Sequence, residues 1–190
     1  MPEWVLPLIE PPTWLGELVR AAEAVADAAK AAKAAAVKEV QDLIDSGKKQ
    51  EAMDKAIAAF GIDNSHVKSM TYDSSVSGEA VTSKDGSVRV GDEAFRDAGW
   101  LGSSLGHEIE IHVNEQAEKG NWYTGAMGTA LQEVQAYDYE IANADRYGTT
   151  KENLEDLEKR REDNYNQLSD EYKKRADAGN YEMKKGEEGL

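Results

Sequence analysis

The spacing of apolar residues predicts that most of this 190-residue chain is helical. Residues 17–45 are rich in Ala with interspersed Glu, Asp and Lys, a composition of very high helix propensity. A second helical stripe covers residues 49–60 and ends at Gly61, a residue type favoured just beyond a helix C-terminus. Because the apolar face of this pair consists mostly of methyl groups, we expect an Ala-rich helical hairpin over residues 17–61 that packs on the domain rather than acting on a membrane.

Residues 67–91 change to the alternating pattern that is typical of β-strands. Two short runs, 79–83 and 87–91, flank an Asp85-Gly86 turn of the kind that closes a β-hairpin. The residues that precede the first run alternate as well. The pattern therefore predicts a small antiparallel β-sheet of two or three strands.

Helical periodicity returns at Ala94 and continues almost to the end of the chain. We expect helices at about 98–118 and 127–146, followed by a charged helix over residues 150–178. A capping-box pattern, Thr149-x-x-Glu152, opens this last helix. Its apolar stripe is weak, so it should be mostly solvated.

Both ends of the chain lack a regular pattern. Residues 1–16 contain all four prolines and are expected to form an extended lead-in or a linker to a larger protein. Residues 179–190 are polar and are expected to form a flexible tail. The stretch between them, 17–178, predicts a single domain of the α+β class that is mostly α, with the small sheet packed against catalytic helices within residues 94–146.

Charge and composition narrow the classes of function. Asp and Glu total 37 against 22 Lys and Arg, which gives a net charge of −15. Nucleic acid is therefore not an expected partner, because phosphate binding requires a basic face. The absence of Cys removes thiolate nucleophiles and Cys-based zinc sites. No window has the roughly 18 apolar residues of a membrane-spanning helix, and the N-terminus lacks the pattern of a signal peptide.

Two of the three histidines lie within one short string, Gly106-His-Glu-Ile-Glu-Ile-His112. Two neutral imidazoles can hold a divalent metal ion, and a neighbouring carboxylate can take a proton from a water on that ion. We therefore predict His107 and His112 as zinc ligands and Glu108 as the catalytic base. The third histidine, His66, follows a turn and is expected to be a loop residue.

The spacing of the two histidines requires an irregular helix. Zinc peptidases with the pattern His-Glu-x-x-His place their histidines four residues apart, whereas His107 and His112 are five apart. On a regular α-helix this spacing separates two side chains by about 140° around the axis. A π-type turn would realign them, and such turns are frequent at functional sites. The alternative is that Glu108 and His112, which are four apart, form the facing pair while His107 plays another role.

A third ligand is expected from the next helix. Glu133 lies 21 residues after His112, which leaves room for a loop and an antiparallel helix. We predict that Glu133 completes a set of two His and one Glu around zinc, with the fourth position left for water. Nearby residues on this helix could orient a histidine (Asp138 or Glu140) or stabilise the transition state (Tyr137, with a core aromatic as the simpler interpretation).

The charge around this string agrees with a cation site. Residues 92–145 contain 11 acidic and 2 basic side chains, a field that favours cations and disfavours polyanions. The simplest alternative is that both histidines are exposed polar residues on a solvated helix.

Three segments together resemble a known family. They are Val88–Phe95, Gly99–Glu108 and Glu133-Val-x-Ala-Tyr137, and the resemblance covers residues 80–145. They resemble the zincin-like metallopeptidase domains that form C-terminal toxin modules of bacterial polymorphic toxins, including Rhs-type effectors. In that family a strand edge precedes the active helix, this helix carries the His-Glu pair, and a later helix provides a Glu ligand.

The resemblance implies a zincin-like fold and a secreted bacterial effector that cleaves a protein of the target cell. It also implies a cognate immunity protein and a larger carrier, to which the Pro-rich start would connect. In such a zinc-dependent peptidase, a substrate strand would add to the edge near Ser87–Gly91 while Glu108 delivers water. Two other functions stay open: a non-catalytic helical interaction module with a degenerate metal motif, and a metal-dependent hydrolase of a non-protein bond.

Overall fold

The structure is a computed structural model that describes residues 13–115 and 126–182. Most of the predicted lead-in and tail therefore lie outside the described residues. The chain divides into two compact units, Met1–Ala36 and Val37–Leu190. The predicted domain boundaries at residues 17 and 178 stay predictions.

Helices make up most of the described residues, and one small sheet accompanies them, so the predicted α+β, mostly α class is confirmed. The α-helices are α1 (Thr13–Asp45), α2 (Lys49–Phe60), α3 (Ala98–Gly106), α4 (Ala126–Ala142), α5 (Ala144–Tyr147), α6 (Lys151–Tyr165) and α7 (Asp170–Asp177). A short 3₁₀ helix covers Asp92–Phe95, and a π-helix covers His107–Asn114. Among the described residues, no helix has the length and apolar character needed to cross a membrane.

The helix boundaries correct three predictions. The helix expected from residue 17 already begins at Thr13, because no proline follows Pro12 to interrupt it. The single helix expected over residues 150–178 is two helices, α6 and α7, separated by a break before Ser169. The N-cap of α6 is Thr150, one residue later than predicted, and its hydroxyl accepts a hydrogen bond from the Asn153 amide at 3.2 Å.

The sheet is mixed rather than antiparallel. Its strands are β1 (Ser69–Tyr72), β2 (Ala80–Thr82) and β3 (Ser87–Val90), in the order β1-β3-β2. The predicted β2–β3 hairpin is antiparallel, but β1 runs parallel to β3. The last strand in sequence takes the central place because it alone buries two side chains, Val88 and Val90.

Two apolar clusters place the central helices. In the first, Leu101 and Leu105 of α3 and Ile109 of the π-helix pack with α2 and with the inner face of β3. In the second, Leu131 and Val134 of α4 pack against α7. One cluster thus fixes the helix that carries both histidines, and the other fixes the helix that carries Glu133.

Candidate metal centre

The backbone changes from α to π winding at the first histidine. Gly106 ends α3, and the eight residues from His107 to Asn114 form the π-helix. Residue type matters at this junction, because a Cβ atom on Gly106 would lie 2.1 Å from the Tyr147 hydroxyl oxygen. The i→i+5 bonding of a π-helix places residues five apart on one face. The irregularity that the histidine spacing requires is therefore present.

The π winding brings both imidazoles to one point, where Glu133 of α4 meets them. The two Nε2 atoms lie 3.0 Å apart. Glu133 places one carboxylate oxygen 3.4 Å from His107 Nε2 and the other 3.6 Å from His112 Nε2. Of the residues that the structure describes, these three form the one group of His and carboxylate side chains that could hold a metal. Glu108 is not a member of this group, so the group forms without the alternative pairing of Glu108 with His112.

The spacing of these donors fits a tetrahedral ion. Zinc bonds of about 2.0–2.2 Å to nitrogen and oxygen place the ligand atoms of a tetrahedral site about 3.3–3.6 Å apart. The observed separations of 3.0, 3.4 and 3.6 Å are close to that range. Imidazole and carboxylate are also the donor types that zinc binds. The residues present therefore fit a zinc ion with one coordination position left open.

Glu140 orients the first histidine. Its carboxylate lies 2.7 Å from His107 Nδ1, the ring nitrogen that does not face Glu133. The Ser103 hydroxyl donates a 2.5 Å hydrogen bond to the other oxygen of Glu140. Asp138, the other residue predicted for this role, instead binds Arg161 at 2.8 Å and the Tyr181 hydroxyl at 2.7 Å. A carboxylate behind a ligating imidazole fixes the tautomer and raises the basicity of the metal-facing nitrogen.

The pKa shifts leave His112 and Glu133 in their metal-binding states and His107 protonated when no metal is bound. Burial lowers the pKa of His107, but hydrogen bonds to Glu133 and Glu140 outweigh it and raise the pKa well above the ordinary value. Burial, together with the charge on His107, lowers the pKa of His112 to about 4. Burial raises the pKa of Glu133, yet the hydrogen bond and charge of His107 bring it below its ordinary value. An ionised Glu133 and a neutral His112 are the states in which these groups bind metal.

Glu108 lies beside the cluster and lines a cavity. This cavity has a volume of about 200 Å³ and is shared by Glu108, His112, Glu133 and the edge of β2. The Thr82 hydroxyl donates a 2.5 Å hydrogen bond to the Glu108 carboxylate. Burial raises the pKa of Glu108, although the charge on His107 and the bond from Thr82 oppose this. A carboxylate whose pKa moves towards neutrality can accept a proton and later return it.

Glu108 also lines a second, smaller cavity. It has a volume of about 140 Å³ and contains Glu79, Tyr137 and Arg160 among its lining residues. The Tyr137 ring packs edge-on against His107, with 5.2 Å between ring centroids. Tyr137 thus lines this cavity next to a candidate ligand, and its predicted role in stabilising the transition state stays a prediction.

Three residues of the site were missed by sequence reasoning: Glu79, Thr82 and Arg160. No sequence signal marks them, because they lie in β2, just before it, and in α6, at long sequence distance from the histidine string. The third histidine, His66, is exposed in the loop between α2 and β1, as expected.

Comparisons of the chain with protein families, with curated proteins and with solved structures find no match.

Proposed function

We propose that this protein is a zinc-dependent metallopeptidase with a zincin-like arrangement of a small sheet, an active-site helix and a second ligand-bearing helix. The observation that carries the proposal is the triangle of His107, His112 and Glu133, whose donor atoms lie 3.0 to 3.6 Å apart beside the buried carboxylate of Glu108. This carboxylate lines two cavities in which a substrate could bind.

A strand edge next to the site supports a peptide substrate. The Gly91 amide donates to the Glu79 carbonyl at 2.7 Å, and the Ser83 amide donates to the Ser87 carbonyl at 2.8 Å. Odd-numbered residues of this strand therefore face β3, and the backbone groups of Ala80 and Thr82 face away from it. Both residues line the 200 Å³ cavity beside Glu108.

This geometry corrects the expected docking edge. The segment Ser87–Gly91 belongs to the central strand, so its two sides already pair with β1 and β2. The outer side of β1 is also occupied, since the side-chain amide of Gln50 bonds to the Met70 carbonyl at 3.2 Å and to the Tyr72 amide at 3.0 Å. Among the described residues, no backbone partner meets the outward groups of Ala80 and Thr82. An extended peptide can add there as a further strand.

The reaction we propose is hydrolysis of a peptide bond. A bound zinc ion would polarise the scissile carbonyl and make water more acidic. Glu108 then takes a proton from the attacking water while the water oxygen bonds to the carbonyl carbon. When the carbon–nitrogen bond breaks, Glu108 returns that proton to the leaving amine, so that proton and charge balance. Tyr137 stands beside His107, where its hydroxyl can donate to the carbonyl oxygen.

Metal content and cleavage together test the proposal. Purified protein should contain about one zinc per chain, as a His₂Glu site requires, and should cleave members of a mixed decapeptide library. His112→Ala and Glu133→Ala should lose both properties, and His66→Ala is the matched control because this histidine is exposed in a loop. Glu108→Gln should keep the metal and lose about 10²- to 10⁴-fold in cleavage rate.

The same experiment separates the other two functions. Absence of zinc from every preparation, with no cleavage, would identify a non-catalytic interaction module. Zinc binding without peptide cleavage, accompanied by hydrolysis of cell-wall fragments, would identify a metal hydrolase of a non-protein bond.

The resemblance to toxin modules supports a further part of the proposal. We propose a bacterial effector that is delivered into a target cell through a larger carrier, cleaves a protein there and is neutralised by a cognate immunity protein. Induced expression inside a bacterial cell tests this part. The wild-type chain should stop growth, whereas Glu108→Gln, expressed at the same level, should not.

A further inference from the structure

Arg160 reaches the candidate site from α6, a helix distant from the histidines in sequence. It is the only Lys or Arg among the described residues that line the two cavities beside Glu108. It shares the smaller cavity with His107, Glu133 and Tyr137. A fixed positive side chain in this place can face negative charge that develops on a substrate.

The Arg160 guanidinium is held in position from several sides. Nη1 lies 2.9 Å from a Glu79 carboxylate oxygen, and Nη2 lies 3.4 Å from Asp156. The Ser104 hydroxyl donates to the second Glu79 oxygen at 3.1 Å, which fixes Glu79 in turn. The guanidinium also lies 5.4 Å from the centre of the Trp100 ring. Such contacts orient the group before any substrate arrives, so little reorganisation is needed during reaction.

These contacts do not use every N–H donor of the Arg160 guanidinium. A guanidinium carries five N–H groups, and two carboxylates, those of Glu79 and Asp156, lie 2.9 and 3.4 Å from it. The remaining N–H groups, together with the Tyr137 hydroxyl, can bind an oxygen in the cavity. Arg is permanently protonated in proteins, so it supplies charge and hydrogen bonds without taking part in proton transfer.

We propose that Arg160 is a catalytic residue that binds the carbonyl oxygen of the substrate as this oxygen becomes negatively charged. Glu79 is the positioning residue that orients the Arg160 guanidinium. The carbonyl oxygen gains charge when the water oxygen bonds to the carbon and loses it when the carbon–nitrogen bond breaks, so Arg160 itself undergoes no net change. This inference rests on the proposed peptidase function.

The test compares two adjacent arginines of α6. Arg160→Gln removes the proposed donor, and Arg161→Gln is the matched control because Arg161 binds Asp138 instead. With a peptide that the wild type cleaves, Arg160→Gln should lower kcat by about 10²- to 10³-fold with little change in KM. Zinc content should be equal in all three proteins. Arg160→Lys retains a positive charge and should recover part of the loss.

A binding measurement provides a readout that does not depend on turnover. A phosphonamidate dipeptide carries a tetrahedral, negatively charged phosphorus group that mimics the transition state. Calorimetry on the zinc-loaded proteins should show that Arg160→Gln binds this probe at least tenfold more weakly, whereas Arg161→Gln binds it like the wild type. Equal binding by Arg160→Gln and the wild type, or no binding by the wild type, would overturn the role of Arg160. Failure of the peptidase proposal is a separate result, namely zinc binding without peptide cleavage by any of these proteins.

Discussion

The Nε2 atoms of His107 and His112 lie 3.0 Å apart although the residues are five positions apart in the chain. A regular α-helix would separate these side chains by about 140° around its axis. The π-helix from His107 to Asn114 removes this separation, and Glu133 adds a carboxylate within 3.6 Å of both rings. Local winding of the backbone therefore decides whether this chain can form a metal site.

The junction between α3 and the π-helix should not tolerate a methyl group. Gly106→Ala would place a Cβ atom 2.1 Å from the Tyr147 hydroxyl oxygen, and overpacking of this kind costs about 1–3 kcal/mol. We expect a lower melting temperature and weaker zinc binding, measured by thermal denaturation and by titration. Tyr147→Phe should restore part of both in the double variant. Gly16→Ala is the control, since a Cβ atom there contacts nothing within 4 Å; an equal loss in both variants would contradict the prediction.

Glu140 should set the affinity of the site for metal. The variant Glu140→Gln keeps the size of the side chain and removes the charge that lies 2.7 Å from His107 Nδ1. Partners of ligating imidazoles commonly contribute 10- to 100-fold to metal affinity, so we expect a loss of about tenfold or more in zinc binding. Asp138→Asn should leave zinc affinity unchanged, because Asp138 binds Arg161 and Tyr181 rather than a histidine. Competition with a chromophoric chelator measures both.

Zinc binding should release about one proton per chain at neutral pH. The pKa of His107 is raised well above its ordinary value by Glu133 and Glu140, so its ring carries a proton that must leave before Nε2 can bind metal. The pKa of His112 is lowered to about 4, so this ring is already neutral and releases none. Calorimetry in buffers of different ionisation enthalpy counts the protons. Below the pKa of His107, zinc affinity should fall about tenfold for each pH unit. A fall of about a hundredfold per pH unit, which indicates that two protons compete with zinc, should appear only near pH 4. Release of no proton at pH 7 would contradict this assignment.

The outward edge of β2 should matter for substrate binding and not for metal binding. Ala80→Pro removes an N–H that points away from β3, a position where an edge strand tolerates proline. Because one backbone hydrogen bond contributes about 0.5–1.5 kcal/mol, we expect a several-fold increase in KM for the cleaved peptide. Zinc content and the unfolding midpoint should stay near those of the wild type. An unchanged KM would exclude strand addition at this edge.

The amino-acid sequence by itself determined the helices and the chemistry of the candidate ligands. Helix propensity and capping are local, so α2 and its end at Gly61 could be predicted from neighbouring residues. The choice of His107, His112 and Glu133 followed from residue type and spacing, and the structure brings these three together. For both histidines to bind one ion, their five-residue spacing also needs the π winding that the structure has.

Tertiary structure decided what depends on contacts between distant segments. Burial of Val88 and Val90 placed β3 in the centre of the sheet, which moved the open edge to β2 and made the sheet mixed. Glu140, and not Asp138, lies next to His107. The reason is that the packing of α4 directs the Glu140 carboxylate towards the π-helix and the Asp138 carboxylate towards α6. Arg160 entered the site from a helix that its sequence presented as solvated. Which side chains meet across such distances depends on how the elements pack together, and no local pattern in the sequence records it.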